Sequence, residues 1–387
     1  MSEAVIVAVA RTPIGRSHKG SLVDVDAFAL AETAVTAAVE RSGVPVEDFD
    51  DLVLAESLQG GGVIGRYVAV KAGLEHVPGM ADNRHCAAGL SAVQIAAGSI
   101  LAGMDKAVIA GGTESLSSMP QTLKSTPASA RDYQRWMSPS HPATELAPPW
   151  DMPLTVGENT ARLAGVTREQ ADEWAMHSHL RAAASVAEGR FADETVPVVL
   201  PDGSLFTTDE HPRAGTTMER LAGLPVLHPE LEGAIVTAGN SAGLNDAAAA
   251  LVVVSGDYAR AHGLNPLARI VSWASAGVAP ERTGLAPTLA VPKAVERGGL
   301  KLSDIDLFEI NEAFASVAVA CSRELGLDHE RVNVNGSGCG LGHPIAATGA
   351  RMVVTMIGEL RRRGAALGCV SMCAGGGMGS ALILEAL

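Results

Sequence analysis

Aromatic side chains and positive charge are both scarce in this sequence of 387 residues. Phe, Trp and Tyr make up 3% of it, and 29 Lys and Arg residues face 43 Asp and Glu residues, so the formal net charge is -14. Proteins bind nucleic acids through stacked aromatic rings and positive surfaces, and anionic membranes also require positive charge. We therefore expect neither a nucleic-acid partner nor a membrane partner. Any anionic ligand must be held by locally placed cations or backbone N–H groups.

Long apolar runs and a cysteine framework are also missing. No run approaches the roughly 18–20 apolar residues that a membrane helix needs, and the short apolar run at 4–10 predicts a first strand rather than a signal peptide. The five cysteines are odd in number and widely spaced, which excludes a disulfide framework and fits a reducing, cytoplasmic location. No zinc-binding spacing occurs, and His177 and His179 would point to different sides of a helix, so we expect no metal site.

The composition is that of a globular protein, and one segment occurs twice. Hydrophobic residues make up 47% of the chain and charged residues 19%. Residues 38–56 read AVERSGVPVEDFDDLVLAE and residues 294–312 read AVERGGLKLSDIDLFEINE, with eight identities in nineteen aligned positions. Both segments predict a helix end, a Gly stop, a short acidic loop and an apolar strand. Such a duplication predicts an α/β chain with two similar halves.

A segment of different composition separates the two halves. Residues 117–160 are rich in Ser, Pro and Thr and lack sustained periodicity, so we expect irregular structure there. A helix is predicted over 167–188, with an N-cap at Thr167 and Gln170 in its first turn. We interpret 117–245 as an excursion inserted into the first half, and irregular stretches of this length are usually functional, interfacial or mobile.

Two residues that could carry chemistry each precede an apolar helix. Cys86 lies in NRHCAAGL (83–90), where unpaired N–H donors and the helix dipole would favour the thiolate. The alternative is an inert cysteine buried in the core. His343 ends the glycine-rich run NGSGCGLGHP (335–344), whose glycines let backbone approach a ligand closely. The alternative here is a structural histidine.

Two further candidates follow strands. Cys373 opens the run CAGGGMG (373–379) directly after an apolar strand. That run is either a plain hairpin turn or a set of free N–H groups forming an oxyanion site beside a second reactive thiol. Asn311 follows the predicted strand at 306–310, and the carboxyl end of a strand is a usual place for functional residues in α/β folds.

Taken together, the chain resembles the thiolases, the acetyl-CoA C-acyltransferases, over nearly its whole length. The blocks that carry the resemblance are ARTPIG (10–15), NRHCAAGL (83–90), AGGTES (110–115), TAGNSAGLND (237–246), NEAFA (311–315), GHP (342–344) and CAGGGMG (373–379). The resemblance implies an α/β thiolase fold, in which two similar βαβαβαββ halves form a five-layer αβαβα sandwich with an inserted loop domain. The N-terminal half would comprise 1–116 with 246–266 and the C-terminal half 267–387. The loop domain, 117–245, would hold CoA.

The resemblance also implies a role for each candidate. Cys86 would be the acylated nucleophile, and His343 would help to generate its thiolate. Cys373 would exchange the α-proton of acetyl-CoA as general base or acid. Asn311 would orient a water that polarises one thioester oxygen together with His343. The backbone N–H groups of Cys86 and Gly375 would form a second oxyanion hole.

The substrates implied by the resemblance are CoA thioesters, with no cofactor, and the implied assembly is a homodimer or homotetramer. Arg213 and Arg220 would be the cations at the nucleotide end of CoA, and the alternative is two solvated surface arginines. Further residues implied in CoA binding are Leu224, Ser241, Ala242, Gly243, Ala313 and Phe314.

Three positions depart from the family pattern, and each concerns acyl-chain preference or CoA contacts. Ala242 stands where a serine commonly meets the pantetheine, Cys339 replaces an apolar residue between two glycines, and 151–154 lacks the His-Met pair of short-chain biosynthetic members. One alternative is a β-ketoacyl-synthase-like condensing enzyme, whose pattern lacks a cysteine at the position of Cys373. Another is a non-catalytic CoA- or lipid-binding relative, which would have lost a catalytic residue. A Cys–His hydrolase is disfavoured because nothing suggests a peptide cleft.

Overall fold

The computed structural model describes residues 3–126 and 129–387. The helices are α1 (Ala27–Ser42), α2 (Ile64–Lys71), α3 (Ala88–Leu101), α4 (Asn159–Ala164), α5 (Arg168–Ala187), α6 (Met218–Ala222), α7 (Gly256–Ala261), α8 (Pro287–Arg297), α9 (Ala315–Glu324), α10 (Gly338–Leu341) and α11 (Ile345–Arg363). The strands are β1 (Ala4–Arg11), β2 (Gly15–Arg16), β3 (Asp51–Ala55), β4 (Met80–Asp82), β5 (Ala107–Ser115), β6 (Leu123–Thr126), β7 (Ser129–Arg135), β8 (Val198–Val199), β9 (Leu205–Phe206), β10 (Asn245–Ser255), β11 (Ala268–Gly277), β12 (Leu307–Ile310), β13 (Leu367–Ala374) and β14 (Met378–Ala386).

The main sheet consists of two sub-sheets joined at a narrow junction. Its strands hydrogen-bond in the order β12-β13-β14-β11-β1-β10-β5-β3-β4. At the junction, β1 and β11 share two residue pairs, Val5 with Arg269 and Ile6 with Ala268. By contrast, β1 pairs with β10, and β11 with β14, along most of their lengths. One sub-sheet therefore belongs to each half of the chain.

Helices cover the outer faces of both sub-sheets and fill the space between them. α1 packs on β1, β5 and β10, whereas α8 covers β11 and β14 on the opposite side of the molecule. α3 and α11 pack against each other in the middle, with β5 on one side and strands of the second sub-sheet on the other. The layers therefore alternate in the expected αβαβα order.

The expected βαβαβαββ order holds in the first half and changes at one place in the second. Between α9 and α11 the third strand is reduced, within the described residues, to a single bridge between Val332 and Phe308. The side chain of Asn333 takes over the pairing, because its amide accepts from the Ile310 N–H and donates to the Ile310 carbonyl, both at 2.8 Å. Because the Asn333 side chain takes the place of strand backbone here, the backbone after Asn333 leaves the sheet and continues into the run that ends at His343.

The repeated segment occupies equivalent places in the two halves. Gly43 is the first residue after α1, and Gly299 is the second residue after α8. Their φ angles are 67° and 68°, a left-handed conformation that favours glycine. The carboxylates of Asp50 and Asp306 each accept two backbone N–H groups at the start of the neighbouring parallel strand, β5 and β13 respectively. The repeat thus preserves structural contacts, as a duplication predicts.

The segment between β5 and β10 contains more regular structure than expected. The capping box at Thr167 and Gln170 is confirmed, with reciprocal hydrogen bonds of 3.2 and 3.1 Å. The expectation of irregular structure at 117–160 is wrong for part of the segment, because the hairpin β6–β7, a π-helical stretch at Pro153–Glu158 and the start of α4 lie there. These elements are short and β6 is mostly exposed, so they leave little hydrophobic periodicity. Across the described ranges, no helix combines the length and apolarity required to span a bilayer.

Candidate active site

The N-terminal ends of the two central helices lie in direct contact. A Cβ atom added at Gly89 of α3 would lie 2.4 Å from the Ala346 carbonyl oxygen. One added at Gly349 of α11 would lie 2.2 Å from the Leu90 backbone nitrogen. Only glycine permits so close an approach. Cys86 and His343 immediately precede these helices, so the contact brings both predicted loops to one place.

The backbone N–H groups of Gly375 and of Cys86 itself lie near the Cys86 sulfur and favour its thiolate. The family resemblance implies the same two groups as the donors of an oxyanion hole, which stays a prediction. The preceding residue, His85, has φ of 46°, a strained value for a non-glycine residue, and such strain clusters at functional sites. The backbone is therefore bent to present this thiol to the Gly375 loop.

The expectation that the helix terminus favours the Cys86 thiolate is wrong. Burial of the thiol raises its pKa to about 11, and the N–H bonds from Gly375 and Cys86 itself offset only part of this effect. The N–H groups of Ala87 and Ala88, which would have stabilised the thiolate, donate instead to loop carbonyl oxygens. The Cys86 side chain is consequently a neutral thiol at rest.

Cys373 lies at the end of β13, beside Cys86. Burial and the neighbouring Cys86 thiol both raise the pKa of Cys373 well above its usual range. The turn that follows includes Gly376 and Gly377, with φ of 91° and 82°, and the Gly377 N–H donates to Thr283 Oγ1 at 2.9 Å. The structure thus brings together the two thiols and the Gly375 donor.

His343 and Asn311 form the opposite side of the site. The Asn311 amide nitrogen lies 3.5 Å from Nδ1 and 3.4 Å from Nε2 of the imidazole, and the Asn311 side-chain oxygen finds no hydrogen-bond partner among the described residues. His343 Nδ1 lies 2.7 Å from Thr348 Oγ1. Burial, together with the charge of Arg351, lowers the pKa of His343 to about 3. The site therefore contains a neutral imidazole and, beside it, an amide oxygen without a hydrogen-bond partner among the described residues.

The structure also gathers most of the residues implied in CoA binding. Ala242 donates its backbone N–H to the Ala313 carbonyl at 3.0 Å, and Ser241 forms a backbone bridge with Phe314. Gly243 packs against the His211 ring so closely that a Cβ there would lie 2.1 Å from it. These residues place the NEAFA block against the TAGNSAGLND block.

Arg213, Arg220 and Leu224 lie farther along the inserted segment. Both arginines are exposed, and Arg220 Nη1 donates to the Gly215 carbonyl at 2.7 Å. Leu224 is half-buried and packs near Gly239, where an added Cβ would lie 2.4 Å from it. No contact within the described residues joins either arginine to the thiols, and their role in CoA binding stays a prediction.

Two of the positions that depart from the family pattern, Cys339 and Asp151, make defined hydrogen bonds. Cys339 is fully buried, its N–H donates to Glu312 Oε2 at 3.0 Å, and burial raises its pKa well above the usual range. Asp151 Oδ1 lies 3.0 Å from His228 Nε2 and accepts the Leu154 N–H, so this carboxylate begins the π-helical stretch. Cys339 therefore links the glycine-rich run 335–344 to Glu312 through its backbone. The contacts of Asp151 are made within the inserted segment.

Sequence reasoning missed the acidic residues that support these loops. Glu312 is fully buried and accepts hydrogen bonds from four groups, which are Trp174 Nε1, Ser178 Oγ, Asn333 Nδ2 and the Cys339 N–H. Glu114 accepts the Ala346 N–H at the start of α11, and burial raises its pKa to about 7. The available signal was the repeat, since Glu312 occupies the position of Glu56 in the first copy.

This fold and this arrangement define a class of enzyme. A thiol with backbone N–H donors at its sulfur, a second thiol beside it and a neutral imidazole are the components of acyl transfer through a cysteine. No cluster of three or more His, Cys, Asp or Glu residues that could hold a metal occurs in 3–126 or 129–387.

Comparison with known proteins identifies the family. The family model described as "Thiolase, N-terminal domain" matches residues 4–257, and "Thiolase, C-terminal domain" matches residues 264–386. The acetyl-CoA acetyltransferase of Cupriavidus necator is 41% identical and the 3-ketoacyl-CoA thiolase of Bacillus subtilis 39% identical, each over 100% of both chains. The crystal structure of the Bacillus anthracis acetyl-CoA acetyltransferase superposes with a TM-score of 0.92 at 40% identity, over 100% of this chain and 99% of that one. The chain belongs to the thiolase family, and it is an acyltransferase. Neither the β-ketoacyl-synthase-like nor the non-catalytic alternative is favoured by these matches.

Proposed function

We propose that the chain catalyses reversible acyl transfer between CoA thioesters through an acyl group on Cys86, as 3-ketoacyl-CoA thiolysis or the reverse Claisen condensation. The observation that carries this proposal is that the Cys86 sulfur lies near both the Cys373 thiol and the Gly375 N–H. A thiolate is both a good nucleophile and a good leaving group, which an acyl group transferred to and from CoA requires.

In the first half-reaction, the Cys86 sulfur attacks the thioester carbonyl and its proton moves to Nε2 of His343. The developing oxyanion is stabilised by the N–H groups of Cys86 and Gly375. The bond from the carbonyl carbon to the CoA sulfur then breaks, and the leaving CoA takes the proton of Cys373. The high pKa values of both resting thiols fit this sequence, since each thiol begins as a proton donor.

In the second half-reaction, the Cys373 thiolate removes the α-proton of acetyl-CoA. The enolate oxygen is held by protonated His343 and by a water that Asn311 orients, and the unpartnered Asn311 oxygen supports this role. The new carbon–carbon bond forms at the acyl carbon as its bond to Cys86 breaks. His343 then returns its proton to Cys86, so both thiols regain their starting state.

We assign CoA binding to the inserted segment, 117–245, placed between the two halves 1–116 with 246–266 and 267–387. Arg213 and Arg220 meet the anionic nucleotide end, and Leu224 contacts the nucleotide portion. The pantetheine lies along the residues that join the NEAFA and TAGNSAGLND blocks, which are Ser241, Ala242, Gly243, Ala313 and Phe314. Every step uses side chains or backbone of this chain, so the proposal includes no cofactor.

We also propose a homodimer or homotetramer in the cytoplasm. β4 forms one edge of the main sheet, Met80 on it is 42% exposed, and the Asp82 side-chain oxygen Oδ1 is buried without a partner among the described residues. An edge strand of this kind is suited to being covered by a second copy. The free state of all five thiols supports a reducing compartment. Sedimentation equilibrium tests the assembly, and a purely monomeric enzyme would contradict it.

Two variants separate the half-reactions. Cys86→Ser is expected to form no acyl-enzyme from acetyl-CoA, whereas Cys373→Ala still accepts an acetyl group but fails to exchange the methyl protons of acetyl-CoA with deuterated water. The measurements are first-turnover CoA release and proton exchange followed by NMR. Normal thiolysis of acetoacetyl-CoA by either variant would refute the role assignment.

A further inference from the structure

The imidazole of His343 is held from behind by a hydroxyl that belongs to the next helix. Thr348 lies in the first turn of α11 and is fully buried, and its Oγ1 is 2.7 Å from His343 Nδ1. His343 itself is 7% exposed. The structure gives this hydroxyl no second hydrogen-bond partner within the described ranges. The Thr348 hydroxyl therefore makes its hydrogen bond with the imidazole and not with the backbone of α11.

The two ring nitrogens have different surroundings, and this difference sets their chemistry. Nδ1 lies 2.7 Å from the Thr348 hydroxyl, whereas Nε2 has no contact this short among the described residues, since the Asn311 amide nitrogen lies 3.4 Å from Nε2 and 3.5 Å from Nδ1. A neutral imidazole carries one N–H, and the hydrogen bond at one nitrogen decides which nitrogen remains a base. A hydroxyl can accept the proton of Nδ1 while Nε2 keeps its lone pair for a substrate or thiol.

The backbone of the same residue is fixed independently. The His343 N–H donates to Asn245 Oδ1 at 3.0 Å, and the Asn245 amide donates in turn to the Gly15 carbonyl at 2.9 Å. Gly342, with φ of 111°, packs on this amide, since a Cβ there would lie 2.7 Å from Asn245 Oδ1. With the backbone fixed in this way, rotation of the ring about its own side-chain bonds is the freedom that Thr348 removes.

We propose that Thr348 is a positioning residue that fixes the rotation and the tautomer of the His343 imidazole, so that all proton exchange with the site passes through Nε2. The proposal rests on the proposed function, because it assumes that His343 takes the proton of Cys86. Thr348 itself touches no reacting atom.

The test compares three substitutions on α11. Thr348→Val keeps the shape of the side chain and removes the hydroxyl, whereas Thr348→Ser keeps the hydroxyl. Thr355→Val is the matched control, because Thr355 is also buried on α11 and its hydroxyl donates to Glu194 at 3.0 Å, away from His343. For each variant the acylation rate constant, the KM for acetyl-CoA and the thermal midpoint are measured, with free CoA released in the first turnover as the readout.

We expect Thr348→Val to lower the acylation rate constant by about 10- to 100-fold, the size of effect found when a group that orients a metal-ligating histidine is removed, with little change in KM. Thr348→Ser should restore most of the rate, and Thr355→Val should acylate normally even where its midpoint falls. Wild-type acylation by Thr348→Val would overturn the proposal, as would equal losses in Thr348→Val and Thr348→Ser. If Cys86→Ser still releases CoA in the first turnover, the proposed function fails, and this inference fails with it.

Discussion

Replacing Gly349 with alanine tests whether the contact between α3 and α11 assembles the site. The new Cβ would lie 2.2 Å from the Leu90 backbone nitrogen and 2.8 Å from the Leu90 Cβ, and a backbone atom cannot rotate away. Ordinary contact requires the two helices to separate by roughly 1 Å. Overpacking of this kind costs about 1–3 kcal/mol, against a helix-propensity gain of about 1 kcal/mol for alanine.

The expected result for Gly349→Ala is a chain destabilised by up to about 2 kcal/mol, with kcat lowered about 100-fold, because a shift of this size misplaces reacting groups. Gly358→Ala is the matched control on the same helix, since its Cβ would lie 3.7 Å from Glu194 in ordinary contact. That control should be stabilised by about 0.5–1 kcal/mol with unchanged kcat. Urea unfolding and initial rates of thiolysis provide the two measurements. If the two variants match in stability and rate, the helix contact does not position the site.

Three further predictions concern the groups around the site. Glu312→Gln should lower the free energy of unfolding by about 1–3 kcal/mol and reduce kcat, because an amide NH2 would face N–H donors that cannot accept a hydrogen bond; unchanged urea midpoint and kcat would contradict this. Burial, with the charges of nearby His211 and Arg213, lowers the pKa of His179 to about 3, so His179 stays neutral in the folded chain and gains a proton on unfolding below pH 6.5. The stability it contributes is therefore lost as pH falls, and His179→Gln should reduce the pH slope of unfolding between pH 4 and 6 by about 1.4 kcal/mol per unit; an unaltered slope would show that this imidazole is not buried as a neutral group. Arg213→Ala should raise the KM for CoA about 5-fold with kcat unchanged, an effect that shrinks with added salt; a salt-independent or absent change would assign the nucleotide contact elsewhere.

The sequence predicts those parts of the fold that depend on local pattern. The repeat at 38–56 and 294–312 predicts helix, glycine, turn and strand in both copies, and the structure confirms each element, including the paired left-handed glycines. These features follow from neighbouring residues alone. The second half departs where Asn333 replaces strand pairing with a side-chain amide, which a residue pattern does not distinguish from a loop.

The family resemblance predicted that the candidate residues converge. The sequence predicted the wrong protonation state for Cys86. Cys86 stands at a helix terminus in the sequence, but burial raises the pKa of its thiol, and the N–H groups of Ala87 and Ala88 donate to loop carbonyl oxygens instead of to the sulfur. Glu312 and Thr348 were missed for a related reason. Their importance lies in contacts with groups brought together by folding, and apart from the match of Glu312 to Glu56 in the repeat, nothing in the sequence separates them from ordinary polar residues.

Locating the acyl group tests the central claim most directly. Wild-type enzyme is mixed with acetyl-CoA, quenched in acid and digested, and the acetylated peptide is identified by mass spectrometry. We expect one acetyl group per chain, on the peptide that contains Cys86, and its loss when CoA is added before the quench. An acetyl group on Cys373 or on any other residue, or an acetyl group that CoA does not remove, would contradict it.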